Sequence, residues 1–479
     1  MSASEVALLA PEIVVALGAS WLLLAPFLFR RDDVGLARWQ TLLVLAVATA
    51  AILWSAEGAG ANAGGLLGAT FALDGFAVFF KLLFVAAVAL VVLLSTDFLR
   101  EEGYSPWEYF SLLAFALCGA MFMVSGVHLI SIWIGLELLS LSSYVLAGYY
   151  KDRAASTEAA MKYFVLGTAS SAIMLYGMSL IFGVTGSLEL GRVAVAVVGA
   201  AGSDALAFGT LLLGAGLCFK VAAVPFHVWT PDVYVGAPTP VTAFLATASK
   251  AAAFAIFARI FYQGFAGLRV EWSGVLAVVA ALSMVGGNLA AITQDNVKRM
   301  LAWSSIGHAG YALIGILAMT PLGLTSVLVY MLVYVFATAG IWAVILMLRR
   351  KEYAGESVAD FGGLHARAPL VAFAMVVFLL SLGGIPPTAG FVGKYYLFLA
   401  GVGAGWGWLV VLAVLTSALS MFYYFRLVVA MYLREERGAE IAGGGALKLV
   451  AAVCLVVVLA LGVMPQPLLE RVAVALAGS

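Results

Sequence analysis

Phe219-Lys220-Val221-Ala222-Ala223-Val224-Pro225-Phe226-His227 sets a lysine and a proline inside an apolar run that covers about residues 205–228. A run of this length matches the roughly 20 residues a helix needs to cross about 30 Å of hydrocarbon. Proline removes a helical hydrogen bond, and a broken helix survives in a membrane only where protein or cavity water satisfies the freed groups. A second stretch, Gly383-Gly384-Ile385-Pro386-Pro387-Thr388-Ala389-Gly390, interrupts another apolar run over about residues 370–399, with Lys394 just beyond it. Two discontinuous membrane helices are therefore predicted, each with a lysine beside its break.

Working outward, the whole chain has the same character. Of 479 residues, 64% are hydrophobic and 10% charged, where a soluble globular chain carries about 25% charged residues. Apolar runs of spanning length recur to the end, which predicts an all-α, polytopic membrane protein of about 14 transmembrane helices. Residues 1–6 lack the basic start of a cleavable signal peptide, so the first run is expected to be a permanent span. The 51 glycines suit close helix packing in lipid. The two breaks fall in helices seven and twelve. A displacement of five spans reverses membrane orientation, the pattern of two inverted five-helix repeats, helices 4–8 and 9–13. The expected units are an N-terminal three-helix segment (1–108), the first repeat (109–262), the second repeat (273–433) and a C-terminal helix (434–479).

An even number of spans puts both termini on one side. One set of loops carries fifteen basic residues, among them Arg30, Arg31, Arg349, Arg350, Lys351 and Arg437, and the opposite set carries Arg192, Arg269 and Arg471. The positive-inside rule then places both termini in the periplasm of a bacterial inner membrane. Cys118, Cys218 and Cys454 are isolated in apolar runs and match neither a metal motif nor a disulfide framework. Zero net charge argues against a nucleic-acid partner.

The remaining basic residues lie inside spans: Lys81, Lys162, Lys220, Lys250, Arg259, Lys394 and Arg426. Among acidic residues only Glu137 reads as lying well inside one. A charge at the bilayer centre costs about 2.5–3.5 kcal/mol on insertion scales, so such residues usually line a polar cavity and mark an ion route. Loss of water disfavours the charged form of a carboxylate and of an ammonium alike, which suits both to loading and releasing protons. Two charges about 10 Å apart at an effective dielectric of about 20 interact by roughly 1.7 kcal/mol, enough for one proton to retune its neighbour. Blander readings compete. Lys81, Arg259 and Arg426 could snorkel to an interface. Lys162 reads equally as relay partner or interfacial anchor, and Glu137 as its counter-charge. His227 and His308 read as relay partners or as packing residues, and His128 and His365 as uninvolved. Asp232, Pro238 and Pro240 read as architectural turn residues.

Four ordered motifs also resemble a known family. They are Gly135-Leu136-Glu137-Leu138-Leu139-Ser140-Leu141-Ser142-Ser143-Tyr144; residues 220–227 continuing into Trp229-Thr230-Pro231-Asp232 and Ala237-Pro238-Thr239-Pro240-Val241; Arg299-Met300-Leu301-Ala302-Trp303-Ser304-Ser305-Ile306-Gly307-His308; and residues 383–394. Together they resemble the antiporter-like subunits of respiratory complex I, bacterial NADH:quinone oxidoreductase, over nearly the whole chain. The resemblance implies a hydrated axis parallel to the membrane through Glu137, Lys220, Lys250 and Lys394, with His308 on it. Within the family the M subunit typically carries glutamate where Lys394 stands, and the L subunit adds a long C-terminal helix. Both differences point to the N branch. By resemblance, NADH, FMN, iron–sulfur clusters and quinone belong to partner subunits, with none bound by this chain. The expected neighbours are the M subunit, the small membrane subunits K and J, and lipid. A subunit of a multi-subunit sodium/proton antiporter, which shares these motifs, and an assembly scaffold with mutually paired charges are the rival readings.

Overall fold

The computed structural model describes residues 3–29, 32–58, 70–200, 202–348, 356–435, 441 and 444–477. Arg30, Arg31, Arg349, Arg350, Lys351 and Arg437, used above to orient the chain, lie outside the described residues. Among the described residues there is no strand, only isolated backbone bridges between loops.

The chain begins with α1 (Ala3–Leu24), α2 (Val34–Gly58), α3 (Gly75–Glu102), α4 (Pro106–Ser125), α5 (Leu129–Ala147) and α6 (Ala154–Thr185). A short α7 (Leu190–Gly199) precedes α8 (Asp204–Val221) and, beyond the first break, α9 (Trp229–Gly236). The eighth span is α10 (Thr239–Phe244) and α11 (Lys250–Arg259), joined by a π-helical turn over Leu245–Ser249. Then come α12 (Arg269–Ile292), α13 (Val297–Ala318), α14 (Pro321–Leu348) and the short α15 (Leu364–Arg367). The twelfth span is α16 (Pro369–Gly383) and α17 (Ala389–Gly403), and α18 (Gly407–Leu433), α19 (Gly445–Val463) and α20 (Gln466–Ala477) complete the chain. Among the described residues thirteen stretches are long and apolar enough to cross a membrane, and the split α16–α17 supplies the remaining span. The sequence pattern held no sign of α7, α9, α15 or α20, which are too short to register as apolar runs.

Both breaks fall where expected. α8 ends at Ala222, held in the left-handed region at φ 61°, and α16 ends at Gly384 with φ 82°. Glycine takes that conformation freely, whereas an alanine there carries about 1–2 kcal/mol of backbone cost. Val224-Pro225 and Pro386-Pro387 are both cis.

Backbone bridges show the repeat without any sequence identity. At the start of α5, Leu129 N donates to Leu188 O and Leu190 N to Val127 O. At the start of α13, Val297 N donates to Glu356 O and Val358 N to Asp295 O. All four residues of the second bridge stand 168 positions after their counterparts. The helix starts are capped alike: His128 Nδ1 accepts from Ile130 N, and Asn296 Oδ1 from Arg299 N. Burial holds the His128 imidazole below its usual range, against the pull of the Glu189 carboxylate, which suits a neutral ring acting as acceptor.

Helix contact is also repeated. A Cβ on Gly119 of α4 would stand 2.5 Å from Leu139 N and 2.6 Å from Gly135 O of α5. One on Gly287 of α12 would stand 2.5 Å from Gly307 N of α13. Backbone meets backbone at both crossings, as small residues allow in lipid. Gly119→Leu should therefore lower folding stability by about 1–3 kcal/mol through overpacking. Gly183→Ala, where the added carbon meets nothing within 4 Å, should be neutral. Thermal unfolding of the two variants in detergent checks this.

Burial follows charge. The eighth and tenth spans are the most enclosed of all, and the second and the last are the most open. The open helices face outward with apolar side chains such as Leu43, Leu53 and Val456. Lys298 is not the solvated loop charge its position suggests. It is 2% exposed, and its ammonium donates to Val235 O and Ala237 O at the end of α9, where the helix dipole favours a cation.

Candidate functional site

α5 presents Trp133, Glu137, Ser140 and Tyr144 on one face, because residues three or four apart in a helix lie above one another. Ser171 of α6 donates to the Glu137 carboxylate and receives Trp133 Nε1 at 2.9 Å. Lys220, in the last turn of α8, donates to Ser140 Oγ at 2.5 Å and lies over the Tyr144 ring. Glu137 is close enough for its charge to act on Lys220.

The second half repeats the theme with different groups. In the register of the bridges, Ser305 stands where Glu137 stands, and His308 where Ser140 stands. Lys250, the first residue after the π turn, donates to Ser305 O at 2.6 Å and to Ser305 Oγ, and Tyr334 donates to the same hydroxyl at 3.0 Å. π turns of this kind are frequent at functional sites. His308 has a phenol at each ring nitrogen: Nδ1 to Tyr330 at 2.6 Å and Nε2 to Tyr424 at 3.2 Å. Its ring is 5.2 Å from that of Tyr334 and 5.6 Å from that of Tyr311. Lys394 lies 4.8 Å over the Tyr311 ring. Its ammonium reaches back across the break to Leu382 O at 2.8 Å, Gly383 O at 3.1 Å and Ser417 Oγ at 2.7 Å.

Lys394 thus caps the carbonyl end of α16, and Lys220 sits at the carbonyl end of α8. Each break exposes the negative end of a half-helix dipole; the Lys394 ammonium occupies it, whereas that of Lys220 turns to Ser140 of α5. Lys250 and Lys394 are 3% and 4% exposed. Lys250, at the end of the first repeat, and Ser305, Tyr334, His308, Tyr311 and Lys394 of the second form one buried polar row. No described hydrogen bond joins Lys220 directly to Lys250.

The other sequence candidates separate from this row. Lys162 is at the rim, 42% exposed, paired with Glu158 and Asp232 at 2.8 Å each. Asp232 is more than a turn residue, since it also takes Arg299 at 3.2 Å. His227 lies in the first break with its ring 5.2 Å from Trp303, and its Nδ1 is buried without a hydrogen-bond partner. Arg259 does not snorkel, since it makes a two-bond fork to Asp74, whereas Arg426 extends from α18 to the exposed Asp295 in the loop after α12. Lys81 is wholly buried against Glu12 at 2.7 Å. Glu12 is therefore a second carboxylate inside the bundle, one the reading of the sequence placed near a helix end. Ser305, Tyr311, Tyr330, Tyr334, Ser417 and Tyr424 also escaped that reading. The signal available for two of them was the polar stripe Ser304, Ser305, His308, Tyr311 at helical spacing on α13.

A membrane-spanning bundle with two mirrored halves and an interior row of ionisable groups defines the antiporter-like class, and the chain belongs to the family described as NADH:quinone oxidoreductase/Mrp antiporter, transmembrane, whose model matches residues 126–420. It is 44% identical to NADH-quinone oxidoreductase subunit N of Parvibaculum lavamentivorans over 426 residues, 89% of this chain and 87% of that one. Its fold matches a chain of respiratory complex I from Thermus thermophilus solved with bound aureothin, at a TM-score of 0.83 and 36% identity, covering 98% of this chain and all of that one. A chain of the Mrp complex from Dietzia shares the fold at a TM-score of 0.84 and 24% identity, covering 100% of this chain and 97% of the other.

Proposed function

We propose that the chain is the proton-translocating membrane-arm subunit of an NADH:quinone oxidoreductase, moving protons through Glu137, Lys220, Lys250 and Lys394 while partner subunits pass electrons from NADH to quinone. NADH, FMN, iron–sulfur clusters and quinone belong to those partners. The observation that carries the reading is the buried row from Lys250 through Ser305 and His308 to Lys394, with Lys220 donating in the other half to Ser140, one turn from Glu137 on α5. His308 serves as a relay on this row, and Lys162 at the rim and His227 in the first break as further relay partners. In this reading its neighbours are other complex I subunits, especially the M subunit and the small membrane subunits K and J, in the inner membrane of a bacterium with both termini in the periplasm. Charge moved against 100 mV costs about 2.3 kcal/mol per proton, so the energy arrives from the partners as electrostatic or conformational change.

Glu137→Gln and Lys220→Ala in the assembled complex should each lower the number of protons moved per electron, measured in sealed vesicles by NADH-driven acidification. Unchanged stoichiometry in both variants would falsify the assignment. Sodium-driven transport without NADH would place the chain among multi-subunit antiporters instead.

A further inference from the structure

The row has a side branch. Tyr424 of α18 is 1% exposed, and its hydroxyl stands 2.5 Å from Ser304 Oγ and 3.2 Å from His308 Nε2. Ser304, one turn before His308 on α13, is also buried. Neither residue is needed to connect Lys250 to Lys394, because Tyr330, Tyr334 and Tyr311 already flank His308 on that path. The branch instead runs along the seam between α13 and α18. Arg426, two residues beyond Tyr424 and so on the other side of α18, leads away from the branch toward the end of α12. Its guanidinium donates to Ile292 O at 2.5 Å and to Asp295 at 2.6 Å, and Asp295 is 88% exposed.

The geometry points to Tyr424 as a further proton-carrying residue, on a side branch that enters the row at His308 by way of Ser304. This rests on the reading of His308 as a relay. A neutral imidazole accepts at one nitrogen and donates at the other, and a phenol does both at one oxygen. Each hop therefore makes one bond and breaks one. A hydronium gives its proton to Ser304 Oγ and is left as water, Ser304 passes its own to Tyr424, and Tyr424 passes its own to His308 Nε2. His308 then releases the proton on Nδ1 to Tyr330, whose own hydroxyl proton passes to water in the row. No tyrosinate forms, and rotation of the hydroxyls resets the chain.

The test uses the assembled complex in sealed vesicles, with NADH-driven proton movement read in H2O and in D2O. Tyr424→Phe removes one hydroxyl and keeps the ring. It should slow pumping about tenfold, less than the roughly 10²–10⁴-fold worth of a positioned proton-transfer group, because water can fill the gap. Its H2O/D2O rate ratio should rise above that of the wild type, which a packing defect would not produce. Ser304→Ala should act in the same direction, and it decides the matter alone if Tyr424→Phe fails to assemble. His308→Gln combined with Tyr424→Phe should be no slower than His308→Gln alone. Wild-type rates and isotope ratios in Tyr424→Phe and Ser304→Ala, beside an impaired His308→Gln, overturn the branch and leave the row standing. Wild-type pumping in His308→Gln overturns the relay reading, and the branch with it.

Discussion

Lys250→Arg is expected to stop proton pumping as completely as Lys250→Met, although arginine keeps the charge. Lys250 is enclosed between the two halves, its ammonium fixed by the Ser305 carbonyl and hydroxyl beneath the Tyr334 ring. A lysine there can play either of two parts. As a fixed counter-charge it would hold the row in place, and a guanidinium, with five donors and a permanent charge, would serve. As a carrier it must give up its proton in every cycle, and arginine cannot. The two variants together separate these parts. If Lys250→Arg and Lys250→Met both assemble and both fall to the uncoupled background in NADH-driven acidification, a reduction of at least about a hundredfold, Lys250 carries protons. If Lys250→Arg pumps at the wild-type stoichiometry and Lys250→Met does not, the residue is an electrostatic anchor and the row needs another carrier at its centre. Replacing Lys250 by methionine also leaves the Ser305 carbonyl without its ammonium, so assembly is to be checked on native gels before rates are compared.

What the sequence disclosed and what it withheld follow from one physical difference. Lipid forbids an unsatisfied backbone, so spans, breaks and their order are written in runs of side chains that can be read one segment at a time. Lys220 beside Pro225 and Lys394 beside Pro387 announced both discontinuous helices for that reason. The likeness of the two repeats lies elsewhere, in the paired bridges at Leu129 and Val297. A backbone bridge uses no particular side chain, so it leaves little trace in residue identity. The polar row was legible in part. Its charged members are conspicuous because charge is costly in lipid, whereas Tyr330, Tyr334 and Tyr424 look like ordinary membrane aromatics until the fold turns the hydroxyls of Tyr330 and Tyr424 toward His308 and that of Tyr334 toward Ser305. Pairing was the least legible. Lys81, Arg259 and Arg426 were each open to a snorkelling reading, and each proves to hold a carboxylate distant in sequence. Arg259 reaches Asp74, the residue that caps α3 through Ala77 N, so one side chain ties the N-terminal segment to the eighth span.

Lys81→Met should cost about 3–5 kcal/mol of stability, and adding Glu12→Leu should restore most of it. Neither member of this pair is exposed at all, and the ammonium lies 2.7 Å from Glu12 Oε1. Ser125 adds one hydrogen bond to that same oxygen at 3.3 Å, whereas Glu12 Oε2 is buried without a hydrogen-bond partner. Removing the lysine strands a carboxylate in an apolar site, and breaking a buried pair from one side is penalised by about that much. Removing both charges together removes the stranded group as well, and replacement of a buried pair by apolar residues of similar volume is commonly neutral or stabilising by about 1–4 kcal/mol. Thermal unfolding in detergent and the amount of assembled complex in membranes measure both effects. Proton movement by the double variant asks a separate question. Glu12 and Lys81 join α1 to α3 and touch α4 through Ser125, none of which carries a member of the Lys250–Lys394 row. A double variant that assembles should therefore pump as the wild type does. If it assembles and fails to pump, the pair is a working part of the proton path and that path extends into the N-terminal segment. If it is no more stable than Lys81→Met alone, the cost lies in lost packing rather than in the unpaired charge.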